Sequence, residues 1–371
     1  MPSFSRRSFL HLSAAASAAA SFRFMNEPML AAAARPLNAP SAPDVVVIDA
    51  NENPLGPGQA ARDAITNIIP RSGRYSFNLS GELVRTFAQQ EGLNPDHILP
   101  TVGSTPPLNA TVLAFTSPQR SYVAADPGYE AGMRAAAVAG ARIVNVPLTK
   151  TYAHDVKAMI ADGSDAGVFY VCSPNNPTGT LTPHADVEYL VANKPKDSVV
   201  LIDEAYIHFT EAAQSTLDLV KAGKDVIVLR TFSKVYGMAG LRCGLAIARP
   251  DLLEKIRQRE WNMMPVTAVA AAAASLNDPQ LVPERRRINA GVRQRTFEWL
   301  DRNRYSYIPS ESNCFLLDTK RPGKDVREAM ARENVMIGRV WPIMPMCVRI
   351  TVGTQEEMER FQAAFQKVMK S

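Results

Sequence analysis

The stretch "RTFSKVYGMAGLRCG", residues 230–244, places a lysine in a loop rich in serine and glycine. Lys234 follows Ser233, and Arg242 comes eight positions after the lysine. Surface turns commonly hold a lysine and a glycine, so the segment alone is compatible with an ordinary exposed loop. The alternative is a lysine that bonds covalently to a ligand, beside an arginine that neutralises a phosphate. The rest of the chain distinguishes these two interpretations.

The composition is that of a folded globular protein large enough for two domains. Of the 371 residues, 46% are hydrophobic and 21% are charged, which excludes a disordered chain. The formal charge of +5 is dispersed, so we expect no nucleic-acid partner, and we assign the run 285–287 to the solvated face of a helix. The four cysteines lack metal-ligand spacing, so we expect no metal and no disulfide framework, with one disulfide left open.

Residues 1–34 have the features of a twin-arginine export signal. Arg6 and Arg7 precede Phe9 and Leu10, an alanine-rich segment follows, and an Ala-x-Ala site lies before Arg35. The alternative is a disordered or helical alanine-rich tail, but the order of the features favours export of the folded protein. Because the apolar segment is a poor membrane span, we predict a bacterial, periplasmic protein with no membrane contact apart from export.

Short continuous apolar runs separated by helix-length segments indicate the fold class. Such runs are typical of strands buried on both faces, and their alternation with helices predicts a mostly parallel α/β sheet. The predicted strands are 121–126, 141–146, 167–172, 198–203, 225–230 and 243–248. After residue 250 we expect a buried alanine-rich helix, a long polar helix near 284–303, strands within 312–318 and 347–353, and an amphipathic last helix.

This pattern divides the chain into four parts. After the export signal we expect an N-terminal arm with part of a small domain at 35–70, a large ligand-binding domain at 71–255, and a small C-terminal α/β domain at 256–371.

Polar side chains follow four predicted strands where each strand ends. Asp203 ends one strand, with Tyr206 three residues later, while "SPNNPTG", "TFSK" and "GST" near Thr105 follow the others. Each has an ordinary structural explanation as a helix cap or a turn. Ligands of open α/β sheets bind beyond the carboxyl ends of the strands, so the coincidence of four strand ends predicts a ligand site.

These residue types match the needs of a flat heteroaromatic aldehyde that carries a phosphate. A lysine forms a Schiff base with the aldehyde, and a carboxylate keeps the ring nitrogen protonated. A helix N-terminus, hydroxyl groups and an arginine suit the phosphate, and an aromatic side chain stacks on the ring. The sequence contains a candidate for every one of these roles.

The chain resembles the fold-type I pyridoxal-phosphate-dependent aminotransferases of classes I and II, and most of all their histidinol-phosphate aminotransferase branch. The motifs "SPNNPTG", "IDEAY" and "TFSK…GLRCG" occur in this order, and the similarity runs from "NENPLGP" at 51–57 to "RITVGTQEEM" at 349–358. The resemblance implies the PLP-transferase type I fold, in which helices enclose a mostly parallel, seven-stranded-type sheet beside a smaller C-terminal α/β domain. It also implies pyridoxal 5'-phosphate as cofactor, a homodimer, and ping-pong amino transfer between an amino acid and a 2-oxo acid.

The resemblance assigns roles to individual residues. Lys234 is the Schiff-base lysine and moves the substrate proton, and Asp203 faces the pyridine nitrogen. Tyr206, also expected to be catalytic, and Asn176 contact the phenolate oxygen. The remaining cofactor residues are Tyr129 against the ring, Ser104, Thr105, Thr231, Ser233 and Arg242 at the phosphate, and Tyr75, which crosses the dimer interface to the partner's phosphate. Arg349 grips the substrate's α-carboxylate, and Arg339 and Asn53 are expected near the substrate.

Two stretches depart from the family pattern. Pro106 and Pro107 follow Thr105, where the family has an acidic or amide residue, and they remove backbone donors near the phosphate, although proline is tolerated in a first helical turn. The stretch from Arg339 to Arg349 looks short. Its apolar side chains either line the pocket or pack in the small-domain core; they are Trp341, Ile343, Met344 and Met346.

The sequence is also compatible with functions other than amino transfer. Another pyridoxal-phosphate reaction, by an oxidase, lyase or decarboxylase, is compatible with the same fold. A cofactor-binding sensor without activity would need a lost lysine or carboxylate, or an added domain, and the sequence shows none of these. Export argues against a role in histidine biosynthesis, so we do not predict histidinol phosphate as the substrate.

Overall fold

The structure is a computed structural model that describes residues 44–259 and 263–370. The predicted export signal, 1–34, and the beginning of the predicted arm, 35–43, lie outside these residues. Within the described ranges no helix is both long and apolar enough to cross a membrane. All four cysteines are free in this structure, and all but Cys347 are buried.

The described chain alternates strands and helices along most of its length. The strands are β1 (Val46–Ile48), β2 (Ile98–Thr101), β3 (Ser121–Asp126), β4 (Ile143–Pro147), β5 (Ala166–Cys172), β6 (Val199–Asp203), β7 (Val226–Thr231), β8 (Gly244–Ala248), β9 (Ser306–Tyr307), β10 (Cys314–Asp318), β11 (Val335–Ile337) and β12 (Cys347–Thr351). The helices are α1 (Gln59–Ile68), α2 (Asn78–Glu91), α3 (Thr105–Phe115), α4 (Ala131–Val138), α5 (Val156–Asp162), α6 (His184–Asn193), α7 (Leu217–Lys221), α8 (Pro250–Arg257), α9 (Val266–Leu276), α10 (Leu281–Arg302), α11 (Gly323–Arg332) and α12 (Gln355–Lys370). Short 3-10 helices occur at 69–71, 95–97 and 207–209.

A seven-stranded sheet forms the centre of the larger unit, in the order β2-β8-β7-β6-β5-β3-β4. The strands from β7 to β4 are parallel, whereas β8 is antiparallel to both of its neighbours. All residues of β5, β6 and β7 are buried, which is why their apolar runs are continuous. The predicted mostly parallel α/β sheet is therefore confirmed.

The carboxyl ends of β5, β6 and β7 meet at one edge of this sheet because the three strands are adjacent and parallel. Asp203 is the last residue of β6, Thr231 is the last residue of β7, and 173–179 continue from β5. Helix α3 begins with Thr105, followed by Pro106 and Pro107 in its first turn. The strand ends singled out in the sequence are thus brought to one side of the sheet.

The smaller unit contains a three-stranded antiparallel sheet, β12-β10-β9, and the parallel pair β1-β11. A separate apolar cluster lies beneath it and includes Val46 and Ile48 from the start of the described chain. The first strand of the described residues therefore belongs to the same unit as β9 to β12 near the C-terminus.

The division between the two apolar clusters falls within α10, between Leu281 and Val292, whereas the predicted domain boundary is at residue 255. Helix α9 belongs to the larger cluster, because Ala268 and Ala272 pack there with Leu281 at the start of α10. The smaller cluster includes buried residues of α10 from Val292 onward. The expected solvated face for the run 285–287 is wrong at Arg285, of which only 9% is exposed, whereas Arg287 is exposed.

Candidate active site

One pocket at the carboxyl edge of the large sheet collects most of the predicted cofactor residues. It lies where β6 and β7 end, with the N-terminus of α3 at one side. Ten of the predicted residues line it: Ser104, Thr105, Tyr129, Asn176, Asp203, Tyr206, Thr231, Ser233, Lys234 and Arg242. These residues span more than a third of the chain, so only the sheet topology brings them together.

Lys234 is a buried amine whose orientation is set by the backbone carbonyls of residues 50 and 51. Its side chain is 8% exposed, and Nζ donates hydrogen bonds to the carbonyl oxygens of Asn51 at 3.0 Å and Ala50 at 3.3 Å. Nζ also lies 5.5 Å from the centre of the Tyr206 ring. A buried amine held by two carbonyls and an aromatic ring is well placed for a covalent ligand bond.

Asp203 is a buried carboxylate with few donors to stabilise its charge. Oδ2 accepts a hydrogen bond from the hydroxyl of Tyr170 at 3.0 Å, and Oδ1 accepts one from the backbone N–H of Ala205 at 3.1 Å. Burial raises the pKa of Asp203 to about 6, against the lowering effect of these hydrogen bonds and of Lys234. A cationic ring nitrogen is the partner that would hold such a carboxylate ionised.

The opposite end of the pocket is suited to a phosphate. The Arg242 guanidinium donates to Ser233 Oγ at 3.3 Å and to the Ala239 carbonyl at 2.8 Å, and Thr231 Oγ1 donates to Ser233 Oγ at 2.9 Å. Burial lowers the pKa of Arg242, so an anion beside it would be stabilising. Gly103 has a φ of +83°, a backbone conformation that favours glycine. A Cβ at this position would also collide with the Arg242 guanidinium.

Ser104 and Thr105 supply the helix N-terminus at this end of the pocket. Ser104 precedes the first helical residue and makes no side-chain capping bond, which leaves its hydroxyl for a ligand. Thr105 Oγ1 lies 3.3 Å from the hydroxyl of Tyr129. The residues present therefore fit a planar aldehyde with a phosphate group: a lysine, a carboxylate, an aromatic side chain and an anion cup at a helix start.

Arg349 lies behind the pocket rather than in its lining. It is fully buried, and it donates from Nη1 to Asn176 Oδ1 at 2.9 Å and from Nη2 to the Asp49 carbonyl at 2.6 Å. Because Asn176 itself lines the pocket, the guanidinium is one side chain away from it. This is the position of a group that can bind a substrate carboxylate when the ligand displaces the existing contact.

Arg339 is already paired within the chain. Its Nη1 lies 2.9 and 2.8 Å from the two carboxylate oxygens of Glu130. The Trp341 ring covers it, with 4.7 Å between the guanidinium carbon and the ring centre, and lies 5.6 Å from the guanidinium carbon of Arg349. Trp341 is buried, whereas Ile343 and Met346 are exposed, so the last two fit neither the pocket nor the core.

Two predicted residues lie elsewhere. Asn53 donates to the Val235 carbonyl at 2.9 Å and lines a second cavity instead of the lysine pocket. Tyr75 is 72% exposed and stacks on Phe77 with 5.7 Å between the ring centres. Tyr75 therefore takes no part in the lysine pocket of its own chain.

Two further residues contact the predicted site residues and are not among the candidates from the sequence. Asn51 donates from Nδ2 to the Tyr206 hydroxyl at 3.0 Å, and its carbonyl accepts from Lys234; it lies in the same motif as the predicted Asn53. Tyr170 supports Asp203 but sits inside an unbroken apolar run, where an aromatic residue gives no signal beyond burial.

Comparisons with known proteins agree with this geometry. Residues 43–365 match the family Aminotransferase class I and II. A histidinol-phosphate aminotransferase from Symbiobacterium thermophilum is 32% identical over 329 residues, covering 88% of this chain and 91% of the relative. An aromatic amino acid aminotransferase from Cutibacterium acnes is 33% identical over 332 residues, covering 88% and 93%.

A solved relative extends the similarity to three dimensions. The crystal structure of histidinol-phosphate aminotransferase from Sinorhizobium meliloti in complex with pyridoxal-5'-phosphate superposes with a TM-score of 0.81 at 26% identity. The match covers 88% of this chain and 91% of that one. With the lysine, the carboxylate and the anion cup in one pocket, the chain belongs to the aminotransferase class I and II family and is a pyridoxal-phosphate-dependent aminotransferase.

Proposed function

We propose that the protein moves an amino group between an amino acid with a neutral, apolar side chain and a 2-oxo acid. The observation that carries this substrate class is the pairing of Arg339 with Glu130 beneath Trp341. A second anionic group on the substrate would have to compete with a carboxylate that already occupies the guanidinium. Arg349 is then the arginine for the single α-carboxylate, and the indole offers an apolar surface beside it.

Lys234 and Asp203 in the pocket, and Arg349 behind it, each have a defined task in this reaction. Pyridoxal phosphate, when bound, supplies the aldehyde that accepts the amino group and a ring that withdraws electrons from the substrate's α-carbon. Lys234 Nζ, held by the carbonyls of Ala50 and Asn51, takes the α-proton and returns it as general base and acid. Asp203 holds the proton on the ring nitrogen, and Arg349 orients the substrate through its carboxylate.

A half-reaction distinguishes amino transfer from the other reactions of this fold. The holoenzyme is mixed with an amino acid in the absence of any 2-oxo acid, and oxo acid, ammonia and carbon dioxide are measured. We expect one equivalent of oxo acid per chain and no ammonia, and we expect Lys234→Ala to give none. Continuous release of ammonia would identify an oxidase or lyase, and continuous release of carbon dioxide a decarboxylase.

The substrate class is tested by a donor comparison. The relatives named above include one for histidinol phosphate and one for aromatic amino acids, at 32% and 33% identity, so similarity does not choose between them. We expect kcat/KM for leucine or phenylalanine to exceed that for aspartate and for histidinol phosphate by at least about tenfold. A preference for either anionic donor would disprove the assignment.

We further propose export by the twin-arginine route and a periplasmic location, supported by the order of features in residues 1–34. Residues 1–43 fused to a fluorescent protein should carry it to the periplasm. Arg6→Lys together with Arg7→Lys should block this transport. Unchanged transport of the double variant would disprove the proposal.

A homodimer with shared sites is supported by the exposure of Tyr75, Phe77 and Ile69 at 72%, 73% and 55%. If Tyr75 completes the partner's site, mixing Lys234→Ala chains with Tyr75→Ala chains restores activity, because each hybrid dimer contains one intact site. Random exchange predicts roughly a quarter of wild-type activity. No recovery after verified subunit exchange would contradict a shared site.

A further inference from the structure

A second cavity, of about 310 Å³, borders the segment that also holds the catalytic lysine. Its walls are residues 52–55, one face of helix α10, and residues 352–355 at the start of α12. The proposed reaction makes no use of this cavity. Its volume lies at the lower end of the range for small-molecule sites.

A buried arginine in the cavity wall has one guanidinium nitrogen without a hydrogen-bond partner among the described residues. Arg285 lines the wall and is 9% exposed, and its Nη1 has no hydrogen-bond partner among the described residues. Burial lowers the pKa of Arg285, against the attraction of Glu284 and with a smaller lowering by the repulsion of Arg62. A buried donor without an acceptor is costly, so an anion that accepts a hydrogen bond from Arg285 Nη1 would be stabilising.

The other charged groups on the cavity wall strengthen the preference for an anion. Arg287 and Arg295 line the wall, and Glu52 is the one carboxylate among the lining residues. Arg295 is oriented by a 2.6 Å hydrogen bond from Nε to Gln355 Oε1. Three guanidinium groups against one carboxylate leave the cavity positively charged.

The remaining wall contains a hydrogen-bond acceptor without a partner and an apolar surface, which suit a ligand with a donor and an apolar group. Asn313 is 1% exposed and lines the cavity, and its Oδ1 has no partner among the described residues. Leu55, Phe209, Ile288 and Val292 supply apolar surface. An inorganic anion would satisfy Arg285 but would leave the apolar wall and the Asn313 oxygen without partners.

We propose that this cavity binds a small organic carboxylate that carries a hydrogen-bond donor and an apolar body, such as a 2-hydroxy acid or an amino acid. Arg285 binds the carboxylate, Asn313 Oδ1 accepts from the donor, and the apolar wall takes the side chain. The assignment does not rest on the proposed substrate class, because none of these three groups lines the lysine pocket.

The cavity is connected to the lysine through one side chain. Asn313 Nδ2 donates to the carbonyls of Asn51 at 3.1 Å and Glu52 at 3.3 Å. The Asn51 carbonyl also accepts from Lys234 Nζ at 3.0 Å. A ligand that binds Asn313 Oδ1 therefore contacts the residue that shares this carbonyl with the catalytic amine.

The test uses 3-phenyllactate, which has the carboxylate, the hydroxyl donor and the aromatic body but no amine to react with the cofactor. Calorimetric titration of the holoenzyme is compared with Arg285→Met, with Arg302→Met at the exposed end of α10 as the matched control. Binding at the catalytic site is followed separately through the visible spectrum of the cofactor. We expect a spectrally silent binding step that weakens at least tenfold in Arg285→Met and is unchanged in Arg302→Met.

Gly291→Leu is the second variant because it fills the cavity and keeps Arg285. A Cβ at Gly291 meets only the Arg295 guanidinium, at 3.4 and 3.9 Å, and leucine favours the helix over glycine. We expect this variant also to lose the silent step. The ligand-free Arg285→Met protein should melt about 2–4 °C higher than wild type, because an unpaired buried charge is removed.

Three results would overturn the proposal. Equal binding by wild type and Arg285→Met would show that the arginine does not bind the carboxylate. A lower melting temperature of ligand-free Arg285→Met would show that the guanidinium stabilises the fold through a partner. Arg285-dependent binding of inorganic phosphate without binding of 3-phenyllactate would contradict the proposed class of ligand.

Discussion

Arg349 donates a hydrogen bond from Nη1 to Oδ1 of Asn176 across 2.9 Å, although 173 positions separate the two residues. The contact joins β12 of the smaller unit to the segment that follows β5 of the large sheet. Because Asn176 lines the lysine pocket, this pair connects the expected carboxylate-binding group to the expected cofactor contact.

Arg349→Lys should impair substrate use without impairing cofactor uptake. A lysine cannot contact Asn176, the Asp49 carbonyl and both oxygens of a carboxylate at once. We expect kcat/KM for the best donor to fall about 10- to 100-fold, measured by steady-state kinetics alongside titration of the cofactor. Arg321→Lys, at a partly exposed site that donates to the Val368 carbonyl, is the control, and an unchanged kcat/KM in Arg349→Lys would contradict the assigned role.

Tyr170→Phe should weaken cofactor binding by removing a donor from Asp203. The hydroxyl bond lowers the pKa of Asp203, so its loss favours the protonated carboxyl and weakens the interaction with a ring cation. We expect about a tenfold rise in the cofactor dissociation constant, measured by absorbance titration. Tyr122→Phe is a matched control from the neighbouring strand, since the Tyr122 hydroxyl is buried without a partner among the described residues; equal effects of both changes would refute the prediction.

Asp203→Asn should change how the cofactor-free protein responds to pH. The folded-state pKa is about 6, above the ordinary value of 3.8. The folded state therefore keeps a proton that the unfolded chain releases, and the free energy of unfolding falls as pH rises from 3.8 through 6. The full loss is about 3 kcal/mol, so urea unfolding at pH 7.5 should show the cofactor-free variant to be more stable than wild type. A less stable variant would mean that the carboxylate is stabilising without the cofactor.

His154→Gln should reduce the loss of stability in acid. Burial lowers the pKa of His154 to about 4, with Nδ1 2.8 Å from Thr182 Oγ1 and Nε2 accepting from the Cys172 N–H at 3.4 Å. Between pH 6.5 and 4 the unfolded chain takes up a proton that the folded chain does not, so the free energy of unfolding falls by up to about 3 kcal/mol.

Urea unfolding at pH 7.5 and 4.5 measures this difference for wild type, His154→Gln and the partly exposed control His97→Gln. The variant should retain part of the acid sensitivity, because burial also lowers the pKa of His208. Wild-type pH dependence in His154→Gln would refute the assignment.

Short segments of the sequence were sufficient to predict most strands of the large sheet and the location of the site. Continuous apolar runs predicted β3 and β5 to β8, since a strand buried on both faces has no alternation, and β4 was predicted although its residues are alternately exposed and buried. Polar residues directly after those runs predicted a ligand site at the strand ends, because parallel strands end at one edge, whereas the roles of Asp203, Lys234 and the phosphate residues are implied by the family resemblance. The location of the site is thus inferred from each strand and the few residues that follow it.

Contacts between distant segments could not be predicted from the sequence, because they depend on how the elements pack in three dimensions. Arg339 meets Glu130 across 209 positions, Asn51 reaches Tyr206 across 155, and Arg285 is buried although its neighbours in sequence are charged. No periodicity encodes such pairs, because side chains meet only after both units have packed. The pairing of Arg339 and the second cavity, which bear on substrate choice and on further ligands, are therefore properties of the packed chain.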